Sequence, residues 1–231
     1  MILNGYDNLT TVEIVDLSSS TTVCDNLPNY PYAIRGTSGG LLDKKIPLVC
    51  GGISVQDCFQ YREGKWEASF SMNKNHFHFS SMPSSPYKNE SHRFFLLGGG
   101  EPPALSVEVL TINGWEVVGP QLPKMFFISC MVNINETTIM IIGGYVDSVQ
   151  YSTETFIFNS LTNVWVSGPP ILSGRRFHGC GYIKENGQSK SKIIIAAGGT
   201  TGGWEALNSV EFLDGIDGSW RSGEVYILMN I

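Results

Sequence analysis

The sequence predicts an all-β fold assembled from repeated four-stranded antiparallel units, and three observations point there. An apolar run closes on two glycines four times: Pro47-Leu-Val-Cys-Gly51-Gly52, Phe94-Phe-Leu-Leu-Gly98-Gly99, Ile139-Met-Ile-Ile-Gly143-Gly144 and Ile193-Ile-Ile-Ala-Ala-Gly198-Gly199. A tryptophan follows each pair, at Trp66, Trp115, Trp165 and Trp220. Between the two marks lies a short alternating segment, clearest as Ser106-Val-Glu-Val-Leu-Thr111 and Ser209-Val-Glu-Phe-Leu-Asp214. The glycines and the tryptophans share a period of about fifty residues, which is how a repeat architecture shows in sequence.

Taken in chain order, the first unit is partial and covers approximately residues 1–30. It keeps only the alternating strand Thr11-Val-Glu-Ile-Val-Asp16 behind a degraded glycine signal at Asn4-Gly5. The second, 31–73, has its B strand at Pro47–Cys50 and a looser C strand, Cys58-Phe-Gln-Tyr61, before Trp66. In the third, 74–124, Asn113-Gly114 stands immediately before Trp115 and is a favoured two-residue hairpin turn. The fourth, 125–173, divides into strand A near Phe126–Val132, B near Thr138–Ile142, C near Thr153–Phe158 and D near Trp165–Ser167. The fifth, 174–231, ends in the apolar tail Glu224-Val-Tyr-Ile-Leu-Met-Asn-Ile231. These runs are too short for helices, and β-branched and aromatic residues dominate the B strands. Glycine suits the end of strand B because it accepts positive φ and close approach. Tryptophan at strand D offers an apolar plate with one N–H for a partner.

Composition narrows the function. The 231 residues carry 15 basic and 21 acidic side chains, a formal charge of −6, with only 16% charged residues. No clustered positive field is present for nucleic acid or anionic lipid. No apolar run reaches the roughly 18 to 20 residues of a membrane helix. The start Met1-Ile-Leu-Asn-Gly-Tyr-Asp7 has neither the basic region nor the apolar stretch of a signal peptide, which favours the cytoplasm over an extracellular setting.

With its double glycines, alternating strands and tryptophans, the sequence resembles the kelch repeat family over nearly its whole length. That resemblance implies four-stranded blades arranged as a β-propeller around a central channel, and a non-catalytic module that binds a protein or peptide, as kelch adaptors do. It implies no cofactor. The family's usual six blades need more chain than this. The 231 residues are therefore a piece of a larger propeller, or close as five blades with residues 224–231 serving as the missing inner strand of the first unit.

Catalytic and metal chemistry finds little support. His76 and His78 share one side of a strand, a spacing that can chelate, but two ligands make no site. His78, Ile128 and His178 occupy the same place in successive units, which points to packing or a structural hydrogen bond. The alternative reading, a galactose-oxidase-like or other carbohydrate-active propeller, requires a copper site or a sialidase box. No segment aligns to the first, and Asp214-Gly-Ile-Asp-Gly-Ser-Trp220 misplaces the aspartate of the second. An extracellular carbohydrate- or protein-binding propeller is the other alternative.

Of five cysteines, Cys50 and Cys58 fall where antiparallel pairing of strands B and C sets them opposite each other, within reach of a disulfide. Cys130 and Cys180 hold matching places on successive A strands and read as small buried thiols. The sequons at Asn8, Asn89 and Asn135 match what chance produces in a chain so rich in Asn, Ser and Thr.

Strands alternating in direction send the B–C and D–A connections to one end of every unit and the A–B and C–D turns to the other. The first end collects the candidate partner contacts Glu101, Tyr145, Asp147, Arg175, Arg176, Trp204 and Glu205. Exposed aromatics and arginines are what interface hot spots are made of. The opposite end, with Asn135-Glu136 and Lys184–Lys190, reads as plain solvated turns.

Overall fold

The computed structural model describes residues 2–3, 10–14, 25–42, 45–76, 84–87, 90–97, 105–147, 151–184, 192–202 and 206–223. Glu101, Trp204, Glu205, His78, Gly98, Gly99 and residues 224–231 lie outside that set.

The protein is all-β, with no α-helix among the described residues, and consists of successive antiparallel meanders. Strands β1 (Ile2–Leu3), β2 (Val12–Ile14) and β3 (Asp25–Leu27) form a three-stranded sheet. The second sheet is β4 (Ser38–Leu42), β5 (Ile46–Cys50), β6 (Cys58–Arg62) and β7 (Lys65–Ala68). The third is β8 (Ser84–Tyr87), β9 (Glu90–Leu97), β10 (Val107–Thr111) and β11 (Gly114–Val118). In the fourth, a two-residue strand β12 (Phe126–Phe127) precedes β13 (Cys130–Asn133) and β14 (Thr138–Ile142). There β15 (Tyr145–Val146) pairs with β12, and β16 (Thr155–Asn159) and β17 (Val164–Ser167) complete the sheet. The fifth is β18 (Gly179–Lys184), β19 (Lys192–Ala197), β20 (Val210–Asp214) and β21 (Trp220–Gly223).

Strand A of the fourth unit thus differs from its predicted form. Phe126–Val132 is not one strand: Ile128 takes a φ of 57° and turns the chain between β12 and β13. Phe177, one place earlier in the fifth unit, does the same at 56°. A left-handed backbone is costly for a β-branched residue, and no sequence pattern announces it.

The core lies between sheets. Val12, Tyr30, Ile34 and Val49 join the first sheet to the second. A larger cluster runs from Leu48 through Val107 and Trp115 to Ile139 and Phe158. Another joins Met140, Ile142 and Ile157 to Ile194, Leu213 and Trp220. Central strands covered on both faces have no polar side to show, which is why all of β14 is buried.

Each repeated tryptophan ties its sheet to the one before it. The indole N–H of Trp66 donates to Pro28 O at 3.0 Å, that of Trp115 to Phe70 O at 3.0 Å, that of Trp165 to Pro120 O at 3.4 Å and that of Trp220 to Pro169 O at 2.8 Å. Trp115 and Trp220 are buried, whereas Trp66 and Trp165 are only half-buried.

The double glycine is explained at Gly143-Gly144, with φ values of 54° and 91°. A Cβ on Gly143 would stand 2.9 Å from Arg175 O, on the linker of the next unit. One on Gly144 would stand 2.8 Å from Phe127 O, on the linker of its own. The pair clears room for two incoming chains at once.

Both pairs of matched cysteines are bridged. Cys50–Cys58 joins adjacent strands of the second sheet. Cys130 and Cys180 are not free thiols, contrary to the sequence reading: their disulfide joins β13 to β18, the first long strands of neighbouring sheets.

Candidate functional site

One register position governs how neighbouring sheets meet. Phe59, Glu108, Phe156 and Glu211 pair with Val49, Leu96, Ile141 and Ala196, so all four face the linker arriving from the preceding unit at the same height. Where the residue is phenylalanine the joint is aromatic. Tyr30 and Tyr32 stand edge-on to Phe59 at 5.5 and 5.3 Å, and Phe126 edge-on to Phe156 at 5.2 Å.

Where it is glutamate, the buried carboxylate collects donors. Glu108 accepts from the backbone N–H of Asn73 at 2.8 Å and of Lys74 at 2.7 Å, and pairs with His76 Nε2 at 3.0 Å. Burial raises its pKa, but the bonds from His76 and Asn73 outweigh that and hold it below the usual carboxylate value. Glu211 repeats the pattern, accepting from Leu172 N–H at 2.6 Å and Ser173 N–H at 3.1 Å. Its counter-charge is Arg175, whose Nη2 lies 2.5 Å from Oε1.

Arg175 is therefore not a surface contact, as the sequence reading had it. Its side chain is fully buried, and Nη1 is further occupied by Gly198 O at 3.0 Å and Ser209 O at 3.2 Å. A carboxylate inside the joint requires a cation inside it, since an unpaired buried charge is far too costly.

The surface above this joint is aromatic. Arg176 is buried rather than exposed as the sequence reading expected, with its guanidinium 4.9 Å from the Tyr151 ring and 5.5 Å from the Phe177 ring, both cation–π distances. Its backbone exchanges hydrogen bonds with Thr200. Phe177 is 46% exposed, a large ring held toward solvent by a left-handed backbone. Tyr145, half-buried, stands edge-on to Phe127 at 6.3 Å. Asp147 is exposed, and its Oδ1 accepts from Met125 N–H at 3.2 Å, so it braces its own linker. The structure thus brings Tyr145, Asp147 and Arg176 to one end of the fourth and fifth sheets.

Tyr151 and Phe177 also belong there, although sequence reasoning passed over them. Phe177 lies inside Arg175-Arg-Phe-His178, where nothing in the sequence marks it as exposed. Beneath it His178 is buried, with neither ring nitrogen making a hydrogen bond of ordinary geometry. Burial and then the Arg175 charge push its pKa down to about 4, keeping the imidazole neutral at physiological pH.

Among the described residues no group of three or more His, Cys, Asp or Glu could hold a metal. A separate cavity of about 410 Å³ opens between the second and third sheets, lined by Leu42, Gln60, Ala68, Phe70, Leu110 and Thr111 among others. None of the described residues that line it is titratable. Neither the protein-family models nor the curated proteins contain a match to this chain.

Proposed function

We propose that the chain is a kelch-type β-propeller whose B–C and D–A end binds a partner protein or peptide without catalysis. The repeated tryptophan bonds and the meander order of every described sheet support the propeller. A fourth strand beside β1, from residues 224–231 or from a segment outside 1–231, would complete the first blade. Phe177 is the observation that carries the binding reading. The left-handed backbone belongs to the repeat, since buried Ile128 shares it, but only in the fifth unit does it carry a large residue left 46% exposed to solvent. Tyr151, Arg176 and Tyr145 beside it supply the aromatic and arginine composition of binding hot spots.

The two disulfides support an oxidising compartment for this work, in place of the cytoplasm that the start of the chain favoured. Affinity capture from an extracellular source tests the face. Wild type should retain partners that a Phe177→Ser, Arg176→Ala variant of equal melting temperature loses. An unchanged set of captured proteins would refute the assignment.

A further inference from the structure

At the other end of the fourth sheet, the turn from β13 to β14 contains Asn135-Glu136-Thr137, an N-x-Thr sequon with no proline at its centre. In sequence it was one of three matches with nothing to distinguish it. The structure supplies two facts about this turn and one about the whole chain.

Asn135 and Glu136 are exposed at the tip of the turn. The Asn135 side chain is already posed, because Oδ1 accepts from the Thr137 N–H at 2.9 Å and from the Thr137 hydroxyl at 3.2 Å. Both bonds fall on the oxygen and neither uses Nδ2. They polarise the amide through its carbonyl and bring the sequon's hydroxyl against the group to be modified. Third, four of the five cysteines are bridged, which fits an oxidising compartment such as the one where asparagine-linked glycans are added. Asn8 and Asn89 head the other two sequons and lie outside the described residues.

We infer that Asn135 carries an N-linked glycan. The donor is a lipid-linked oligosaccharide diphosphate of the secretory route. Asn135 Nδ2 forms a bond to the anomeric carbon as the bond from that carbon to the lipid diphosphate breaks. The lipid diphosphate leaves, and the amide proton passes to a base of the transferase, with no change of oxidation state. The sugar sits at the A–B end of the sheet, away from Tyr145 and Phe177, because a β-strand carries the chain from one end to the other between them. It shields the turns at its own end and leaves the aromatic end open. This inference does not depend on the choice of binding face.

The test is secretion of the full chain from cultured eukaryotic cells behind a cleavable leader. Enzymatic deglycosylation in heavy-oxygen water and peptide mapping follow, together with disulfide mapping as the check on folding. Position 135 should be recovered as an aspartate carrying heavy oxygen in most molecules. Asn135→Gln and Thr137→Ala should lose the mark and one step of gel mobility shift while both bridges still form, and Thr137→Ser should retain it. Recovery of unmodified Asn135 in secreted protein with both bridges intact would overturn the inference.

Discussion

Arg175 and Glu211 form an ion pair sealed between the fourth and fifth sheets, with Nη2 2.5 Å from Oε1 and both side chains essentially without solvent. The pair holds the linker that presents Arg176 and Phe177, so the candidate surface depends on a contact that no solvent reaches. Removing one partner leaves an uncompensated buried charge, at a cost of about 3 to 5 kcal/mol. Arg175→Met and Glu211→Gln should each show that loss in urea unfolding. The double variant should lose clearly less than the sum, and strict additivity would deny the pairing.

The indole hydrogen bonds should report on the joints one by one. Trp220→Phe keeps most of the apolar plate and removes the donor to Pro169 O, and should cost about 0.5 to 1.5 kcal/mol. Trp220→Ala should cost about 3 to 5 kcal/mol. Trp165→Ala, at a half-buried ring with a longer bond, should cost less than Trp220→Ala in the same denaturant titration.

Much of this framework was legible in the sequence because its marks serve contacts made in every unit. Among the described residues, Gly52, Gly144 and Gly199 each clear the linker of their own unit, and Trp66, Trp115, Trp165 and Trp220 each anchor to the linker before it. The joints were legible only in part. Glu108 and Glu211 showed as repeated Ser-Val-Glu segments, but the donors they collect sit 32 to 39 residues earlier on linkers with no common motif. Arg175 consequently looked like a surface residue. Cys130 and Cys180 were misread because their spacing of fifty suggested equal positions: the ladder sets Cys130 opposite Ile142 but Cys180 opposite Ala196, one place further from the glycines, so they leave opposite faces of their own sheets and meet between neighbours.

Loop length ranks the two disulfides. Cys130–Cys180 spans 50 residues and Cys50–Cys58 spans 8. In the loop-entropy model the first stabilises by roughly 4 kcal/mol and the second by roughly 2.5 kcal/mol. Replacing Cys130 and Cys180 together by serine should therefore lower the melting temperature more than the same change at Cys50 and Cys58. The reverse order would show that the bridges act through local packing instead.

His178 sets a pH dependence whose sign is fixed. Its folded pKa is about 4 against an ordinary 6.5, so between those values the unfolded chain binds a proton that the folded protein refuses. Stability from this residue is full above pH 6.5 and falls as pH drops toward 4, by about 3 kcal/mol in all. His178→Ser, which installs the residue that the fourth unit carries at the structurally equivalent Ser129, should flatten this part of the profile. Parallel profiles for wild type and variant across pH 4 to 6.5 would show that the imidazole titrates normally.

The account rests most directly on which end of the sheets meets the partner, and site-specific photocrosslinking measures that. A photoreactive amino acid is placed at Phe177, and in a second protein at Leu161, an exposed residue in the C–D turn at the opposite end. Both are exposed to the same extracellular source and irradiated. The account predicts a discrete crosslinked protein at position 177 that is absent at position 161. A crosslink at 161 with none at 177 would contradict it.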